Sequence, residues 1–271
     1  MPFHTPEPAF RFRQGTQPLL ISMPHVGTYI PPALAARLTP EAQEVHDTDW
    51  HLERLYGFAD ALGASVLAAT HTRYVVDLNR PPDNQNLYPG QDTTGLCPVD
   101  TFDKEPIYAA GDLPDDAEIS ARREAVWRPY HQQLQAELAR LKAAHGTVVL
   151  WDAHSIRSVL PRFFDGTLPD LNLGTASGAS CDPALAQTLL QIGEAATGYR
   201  AVLNGRFKGG HITRQYGRPA DGVHAVQLEM TQSSYMQEAM PFDYLPERAA
   251  AVQPHLQTML QAALDFAKSS R

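Results

Sequence analysis

The sequence has few cysteines, no long apolar run and no excess of positive charge. Cys97 and Cys181 are the two cysteines among 271 residues, and neither belongs to a C-x-x-C pair. They cannot form a disulfide scaffold, so we expect a protein of a reducing compartment. The formal net charge of -8 argues against a nucleic-acid surface, although a few arginines can still form a positive pocket for an anionic ligand.

Membrane-directing segments are also missing from the sequence. No run approaches the roughly 18 apolar residues that span a bilayer, and the opening residues MPFHTPEPAFRFRQG lack the apolar region of a signal peptide. Hydrophobic residues make up 43% of the chain and charged residues 19%, as in soluble globular proteins with a sizeable core. We therefore expect a cytoplasmic protein with neither a membrane nor a nucleic acid as its partner.

Short apolar runs alternate with helical patterns along the chain. The runs that predict buried strands are residues 18–24, 64–70, 74–78, 147–154, 199–205 and 224–230. The patterns that predict helices are residues 40–63, 115–145, 182–197 and 245–269. This alternation favours an α/β fold, with a mostly parallel mixed sheet flanked by helices on both faces. The Pro- and Gly-rich stretches 81–99 and 161–181 are typical of ordered loops over a site, so residues 1–271 are expected to form a single domain.

Polar residues follow several of the predicted strands. His25 comes directly after the first strand, His154 lies at the end of VVLWDAHS and Glu229 lies at the end of VQLEMTQ. The stretch TRYVVDLNRP adds Arg73, Asn79 and Arg80. Ligands of open α/β sheets bind outside the carboxyl ends of the strands, so these side chains are expected to share one pocket.

Each of these residues also has a purely structural interpretation. A lone histidine after a strand is more often a hydrogen-bonded structural residue than a ligand, and Arg80 could form a surface ion pair. Glu229 is harder to explain in this way, because it stands between Leu228 and Met230. An ionised carboxylate in an apolar strand is costly unless it is paired or bound to a metal.

The combination of these residues favours metal-assisted hydrolysis. Catalytic zinc takes three protein ligands from His and Asp or Glu and leaves a position for water. His25 and His154 are the expected histidine ligands, and Glu229 is the expected carrier of the water proton. The acidic ligand is expected from HDTDW, where Asp49 is preferred narrowly over Asp47, with His46 as a more distant alternative. Asp49 could instead cap a helix that begins at Trp50.

Two sets of motifs resemble known enzymes. DLNRP, DAHS and LEM are similar to motifs of zinc carboxypeptidases and aspartoacylase-type deacylases, but HVGT replaces their H-x-x-E after His25. A closer match covers nearly the whole chain, because seven motifs in matching order resemble the N-formylglutamate amidohydrolase family. These motifs are ISMPHVGTYIP, DTDWHLERLY, TRYVVDLNRP, WDAHSIRS, PDLNLGTASGASCDP, NGRFKGGHITRQYG and VQLEMTQSSYM.

The resemblance implies a zinc-exopeptidase-like fold and hydrolysis of N-formyl-L-glutamate to formate and L-glutamate, a step of histidine degradation. The partner is then a small dicarboxylic N-acyl amino acid, and bidentate guanidinium groups suit its carboxylates. Asn79 with Arg80 is the first candidate pair. The other candidates for the second carboxylate and the oxyanion are Arg73, Arg157 and Arg214, of which Arg157 is assigned the catalytic role. His211, after two glycines that allow close backbone approach, and Asn172, which could instead form a turn, are the remaining candidate substrate contacts.

Other functions are compatible with the same residues. A related zinc N-acyl-amino-acid deacylase or a carboxypeptidase would keep the metal and Glu229. A non-catalytic binding protein for a dicarboxylic amino acid would keep Asn79 and Arg80 but would need neither the metal nor Glu229. The sequence leaves open which divalent metal is bound, because His and carboxylate sites accept several, and it leaves open the oligomeric state.

Overall fold

A mixed sheet forms the centre of the molecule, for which a computed structural model describes residues 3–270. Within these residues the sheet has seven strands in the order β1-β3-β2-β4-β7-β5-β6. The strands are β1 Phe10–Arg13, β2 Leu19–Met23, β3 Ser65–Ala69, β4 Val148–Ile156, β5 Leu171–Gly174, β6 Ala201–Leu203 and β7 Val223–Thr231. β1 is antiparallel to β3 and β5 is antiparallel to β7, whereas the other neighbouring pairs are parallel. The predicted α/β class, with a mostly parallel mixed sheet, is confirmed.

Helices of very different length connect the strands. They are α1 Pro32–Ala35, α2 Pro40–Gln43, α3 Leu52–Leu55, α4 Asp116–Arg122, α5 Arg128–His145, α6 Pro183–Ala195, α7 His211–Tyr216 and α8 Pro246–Ser269. A π-helical turn at Arg123–Trp127 joins α4 to α5. Asp115 caps the start of α4 by accepting from the Glu118 amide, and Gly146, with a φ of 82°, ends α5. None of the helices in residues 3–270 is long and apolar enough to cross a bilayer.

The central strands are buried on both faces of the sheet. Leu19, Ile21 and Trp151 pack on the side of α6 and α8, whereas Leu20 and Leu150 pack on the side of α5. Successive side chains of a strand point to opposite faces, so each continuous apolar run serves two cores. Helices therefore flank both faces, as predicted.

The predicted strand over 74–78 is absent from the structure. The Val75 amide donates to Thr72 O within a turn, and the Asp77 amide donates to Leu96 O of a loop. Val75 and Val76 are nevertheless buried, because this turn packs into the core on the α5 side of the sheet. An apolar run of this length indicates burial but does not distinguish a strand from a buried turn.

The helical pattern over 40–63 is also interrupted. Val45 and His51 have left-handed backbone, with φ values of 47° and 63°, and such residues end a right-handed helix. The segment therefore forms only α2, α3 and a 3₁₀ turn at Gly57–Asp60. No helix begins at Trp50, so the alternative role of Asp49 as its cap is wrong, and Asp49 lies in irregular backbone.

Candidate metal centre

Three ligand atoms converge at the carboxyl edge of the sheet. Nδ1 of His25 lies 3.1 Å from Nδ1 of His154. Oδ2 of Asp49 lies 3.3 Å from Nδ1 of His154 and 3.8 Å from Nδ1 of His25. All three side chains are buried. Tetrahedral ligands that are about 2.0–2.1 Å from zinc lie roughly 3.3 Å apart, so this spacing fits a metal ion.

Each histidine is oriented by a second carboxylate behind it. Nε2 of His25 lies 2.7 Å from Oδ1 of Asp77, and Nε2 of His154 lies 3.0 Å from Oδ2 of Asp152. Because a carboxylate only accepts, each Nε2 carries the proton and each Nδ1 presents a lone pair to the cluster. Carboxylates commonly hold metal-binding histidines in this way.

The charges around the cluster favour a divalent cation. Four carboxylates and two guanidinium groups form or adjoin the cluster, namely Asp49, Asp77, Asp152, Glu229, Arg73 and Arg80. When these groups are ionised, two negative charges are left over. Burial lowers the pKa of His154, but Asp152 and Asp49 outweigh it and raise that pKa well above its ordinary value. The site therefore attracts positive charge, and its two imidazoles and one carboxylate are a donor set that zinc accepts.

Asp49 and Asp47 have different surroundings. The backbone amide of Asp49 donates to His25 O, and its Oδ2 accepts from the amide of Ser155, which fixes the carboxylate beside the two rings. Oδ2 of Asp47 instead accepts from the Tyr74 hydroxyl and the Phe102 amide, at 2.8 Å each. Only Asp49 belongs to the cluster of described residues that could hold a metal ion.

Glu229 lies next to the cluster because of strand register. β4 and β7 are parallel, and Glu229 is the partner of His154 in the ladder between them. Gln227 donates through Nε2 to Oε2 of Glu229 over 3.2 Å. Burial, reinforced by the charge of Asp49 and opposed by that of His154, raises the pKa of Glu229 to about 8. A carboxyl group whose pKa lies near neutral pH, beside a candidate metal site, is suited to taking up and releasing a proton.

The predicted residues of TRYVVDLNRP have distinct surroundings at this site. Arg73 is buried, and its Nη2 contacts both ring nitrogens of His25. Asn79 donates through Nδ2 to Oδ2 of Asp152 and accepts the Ile212 amide on Oδ1. Both the nitrogen and the oxygen of the Asn79 side-chain amide are therefore hydrogen-bonded within the protein.

The guanidinium of Arg80 is fixed by the loop that follows it. Its Nε donates to Thr94 O, its Nη2 to Oγ1 of Thr94 and its Nη1 to Asn79 O. Three of its five N–H groups are used in this way, which leaves two for a ligand.

A cleft opens in front of these residues. Its lining includes the three residues of the cluster with Glu229, Arg73, Asn79 and Arg80. Gly210 also lines it, and a Cβ at this position would lie 2.4 Å from Nδ2 of Asn79, so the backbone approaches the site as closely as the paired glycines suggested. Further residues line the cleft that were not predicted from the sequence, among them Tyr88, Phe163, Arg206, Phe207 and Gln227. Arg206 and Phe207 belong to the quoted motif NGRFKGGHITRQYG, which was the available signal.

Four predicted site residues do not line this cleft. Arg157 donates to Oδ2 of Asp103, and Arg214 donates to Gly209 O at the exposed side of α7. His211 packs beside Trp127 and His131. Asn172 donates to two backbone carbonyls, those of Pro169 and Glu229.

The fold and the cluster together define a class, an α/β protein with a candidate hydrolytic metal site at the carboxyl edge of its sheet. A family model for N-formylglutamate amidohydrolase matches residues 17–236, and the chain belongs to this family. It is 54% identical over 257 residues to an N-formylglutamate deformylase of Pseudomonas aeruginosa, covering 95% of this chain and 96% of the relative.

Two further comparisons agree with this family. An N-formylglutamate deformylase of Pseudomonas putida is 54% identical over 253 residues, covering 93% of this chain and 94% of the relative. The crystal structure of an N-formylglutamate amidohydrolase from Ralstonia eutropha JMP134 superposes with a TM-score of 0.82 at 25% identity. That comparison covers 97% of this chain and 99% of the other. This chain and that amidohydrolase thus share the overall fold.

Proposed function

We propose that this protein hydrolyses N-formyl-L-glutamate to formate and L-glutamate, and so acts on a linear amide. The observation that carries the proposal is the position of Glu229 beside the cluster of His25, Asp49 and His154. A proton carrier and a candidate metal site then face the same cleft, in a chain whose relatives are named as deformylases.

The same cluster is proposed to hold one divalent metal ion, with zinc as the first choice. Nδ1 of His25, Nδ1 of His154 and Oδ2 of Asp49 would be its ligands. Such an ion supplies a Lewis acid and lowers the pKa of a water molecule. Its charge also favours the ionised form of Glu229, which a general base requires.

Glu229 is proposed to move the proton during the reaction. Its carboxylate takes a proton from the attacking water, whose oxygen bonds to the formyl carbon. When the C–N bond breaks, Glu229 returns this proton to the departing nitrogen. Gln227 keeps Oε2 of Glu229 in place by donating to it.

Arg73 is proposed to stabilise the oxyanion, a role that the sequence assigned to Arg157. Arg73 lines the cleft and contacts His25, and its buried Nε has no hydrogen-bond acceptor among residues 3–270. A positioned donor of this kind is most effective where water is excluded. Arg157 is bonded to Asp103 outside the cleft.

Arg80 is proposed to bind the α-carboxylate of the substrate with its two remaining N–H groups. Its Nη1 lies 3.9 Å from Oδ2 of Asp77, whose other oxygen contacts His25, so this guanidinium is close to the cluster. Arg214, His211 and Asn172 have no part in the proposed reaction. The cytoplasmic setting, the step in histidine degradation and the single domain over 1–271 stay predictions.

The test is the release of formate by purified, zinc-loaded protein. We expect far faster release of formate from N-formyl-L-glutamate than of acetate from N-acetyl-L-glutamate, and loss of both activities after thorough chelation. Equal rates would favour a general N-acyl deacylase. Activity that survives metal removal would contradict the hydrolytic metal site, and no hydrolysis of either compound would favour a binding protein.

A pair of variants tests the role of Glu229. Glu229→Gln should keep its metal and lose about 100-fold or more in kcat, since general acid–base catalysis commonly contributes that much. Glu194→Gln is the matched control, because Glu194 is exposed on α6. Unchanged turnover in Glu229→Gln would remove this residue from the mechanism.

A further inference from the structure

Arg206 is a cleft residue that the proposed reaction does not use. It follows β6, two strands away from β7 and its Glu229, and lines the same cleft as the metal cluster. Its Nε donates to Phe163 O. Arg206 has no hydrogen bond or ion pair with any residue of the cluster.

Most of the hydrogen-bonding capacity of Arg206 is unused. A guanidinium has five N–H groups, and within residues 3–270 only Nε has a protein acceptor. The four N–H groups on Nη1 and Nη2 are left for a ligand. No carboxylate of the described residues forms an ion pair with this side chain, in contrast to Arg73, which lies 3.5 Å from Oδ2 of Asp77.

The surroundings of Arg206 make an anionic partner favourable. Its guanidinium carbon lies 5.3 Å from the ring centre of Phe207 and 5.9 Å from those of Phe163 and Tyr88. Burial lowers the pKa of Arg206, because the charged form loses water without gaining a carboxylate. A ligand carboxylate in this place restores the missing interaction and accepts two parallel hydrogen bonds.

The aromatic rings also fix the direction of the guanidinium. The Tyr88 hydroxyl donates to Gly209 O over 2.7 Å, which ties this ring to the glycine segment beyond Phe207. Rings on several sides limit the rotation of Arg206 and provide apolar surface for a methylene chain. This frame is suited to a flexible aliphatic side chain that ends in a carboxylate.

We propose that Arg206 binds the side-chain carboxylate of the substrate and is the residue that selects a dicarboxylic amino acid. This inference rests on the proposed function. In that function the formyl group meets the cluster and the α-carboxylate meets Arg80, so the side-chain carboxylate is the group left to bind farther from the metal.

The test compares two substrates that differ in this carboxylate alone, N-formyl-L-glutamate and its neutral isostere N-formyl-L-glutamine. Arg206→Gln should lower kcat/KM for N-formylglutamate by about 10- to 100-fold, since hydrogen bonds to charged groups are worth that much. Most of the loss should appear as a higher KM, because the contact is made in the ground state as well as in the transition state. The ratio of kcat/KM for the two substrates should fall by a similar factor.

Two other variants complete the comparison. Arg200→Gln is the matched control: Arg200 immediately precedes β6 at its other end, donates to Leu168 O and does not line the cleft, so its substrate ratio should equal that of the unsubstituted protein. Arg206→Lys keeps the positive charge but loses the planar guanidinium that donates two parallel hydrogen bonds. The ratio of kcat/KM for the two substrates should therefore fall less than in Arg206→Gln. This variant carries the test if Arg206→Gln does not fold.

The outcomes separate this inference from the proposed function. If the unsubstituted protein prefers N-formylglutamate and the ratio is unchanged in Arg206→Gln, the role of Arg206 is wrong and the proposed function stands. If the unsubstituted protein releases formate from neither substrate, the proposed function fails and this inference fails with it. A fall of the ratio in Arg206→Gln, with no change in Arg200→Gln, supports both.

Discussion

Nδ1 of His25 and Nδ1 of His154 lie 3.1 Å apart, and each ring presents Nε2 to a different buried aspartate. Two lone pairs therefore meet at one point, with the carboxylate of Asp49 beside them. This arrangement is unfavourable without a positive charge between the three atoms. Substitutions can therefore test which aspartate completes the cluster and which residues orient the two histidines.

Asp49 and Asp47 provide a matched pair of variants. Asp49→Asn should lower the affinity for zinc by more than about 100-fold, because it removes the charged ligand. Asp47→Asn should keep the metal and lower the free energy of unfolding by about 1–2 kcal/mol, because it weakens the bonds to Tyr74 and Phe102. Metal content after dialysis against a chelator, with denaturant unfolding, measures both effects. The reverse pattern would make Asp47 the ligand.

Asn79 should act on the metal site through its neighbours. Its amide donates to Asp152, which orients His154. Asn79→Ala should therefore lower metal affinity by about 10- to 100-fold, the usual cost of losing a group that supports a ligand. Competition with a chromogenic chelator measures this affinity. If Asn79 instead grips the substrate, the variant will raise KM and leave metal affinity unchanged.

Glu229 should make the chelated protein less stable as the pH rises. Its pKa is about 8 in the folded protein and roughly 4.3 when unfolded. The folded state therefore binds more protons between these values, so its stability contribution is present at low pH and is lost as the pH rises towards 8. The free energy of unfolding of Glu229→Gln should equal that of the unsubstituted protein at about pH 4.3. At about pH 8 it should exceed that of the unsubstituted protein by about 1 kcal/mol or more. Urea unfolding at several pH values tests this, and a pH-independent difference would contradict it.

Gly210 should be intolerant of a side chain. A Cβ there would lie 2.4 Å from Nδ2 of Asn79, and Asn79 cannot easily move because Asp152 and the Ile212 amide hold it. Gly210→Ala should lower the free energy of unfolding by about 1–3 kcal/mol and weaken metal binding. Gly57→Ala is the control, because a Cβ at Gly57 meets nothing within 4 Å. Equal stability of the two variants would show that the site can rearrange.

The central strands were predictable because burial on both faces leaves a continuous apolar run. β2, β4 and β7 were found in this way, and their ends indicated His25, His154 and Glu229. β1 and β5 have only four residues each and were not predicted. The run at Val75 and Val76 was misassigned, because a turn packed into the core has the same local composition as a strand.

The rest of the site depends on long-range packing. Asp49 projects from irregular backbone between two left-handed residues, Val45 and His51, and no local pattern indicates such a break. Arg157 and Arg206 each follow a strand, yet Arg157 is bonded to Asp103 and Arg206 lines the cleft. Which of two such arginines reaches a cleft is decided by tertiary contacts that sequence spacing does not contain.

The pairing of β4 with β7 limits where residues can be inserted or deleted in members of the family. His154 stands beside Glu229 only in the observed register of the two strands. Because side chains alternate between faces, a slip by one residue would replace this carboxylate with Leu228 or Met230. Loops around the cleft can grow or shrink without changing this distance. One residue inserted inside either strand would move Glu229 away from His154, so we expect members of the family to differ in length in their loops and not within these two strands.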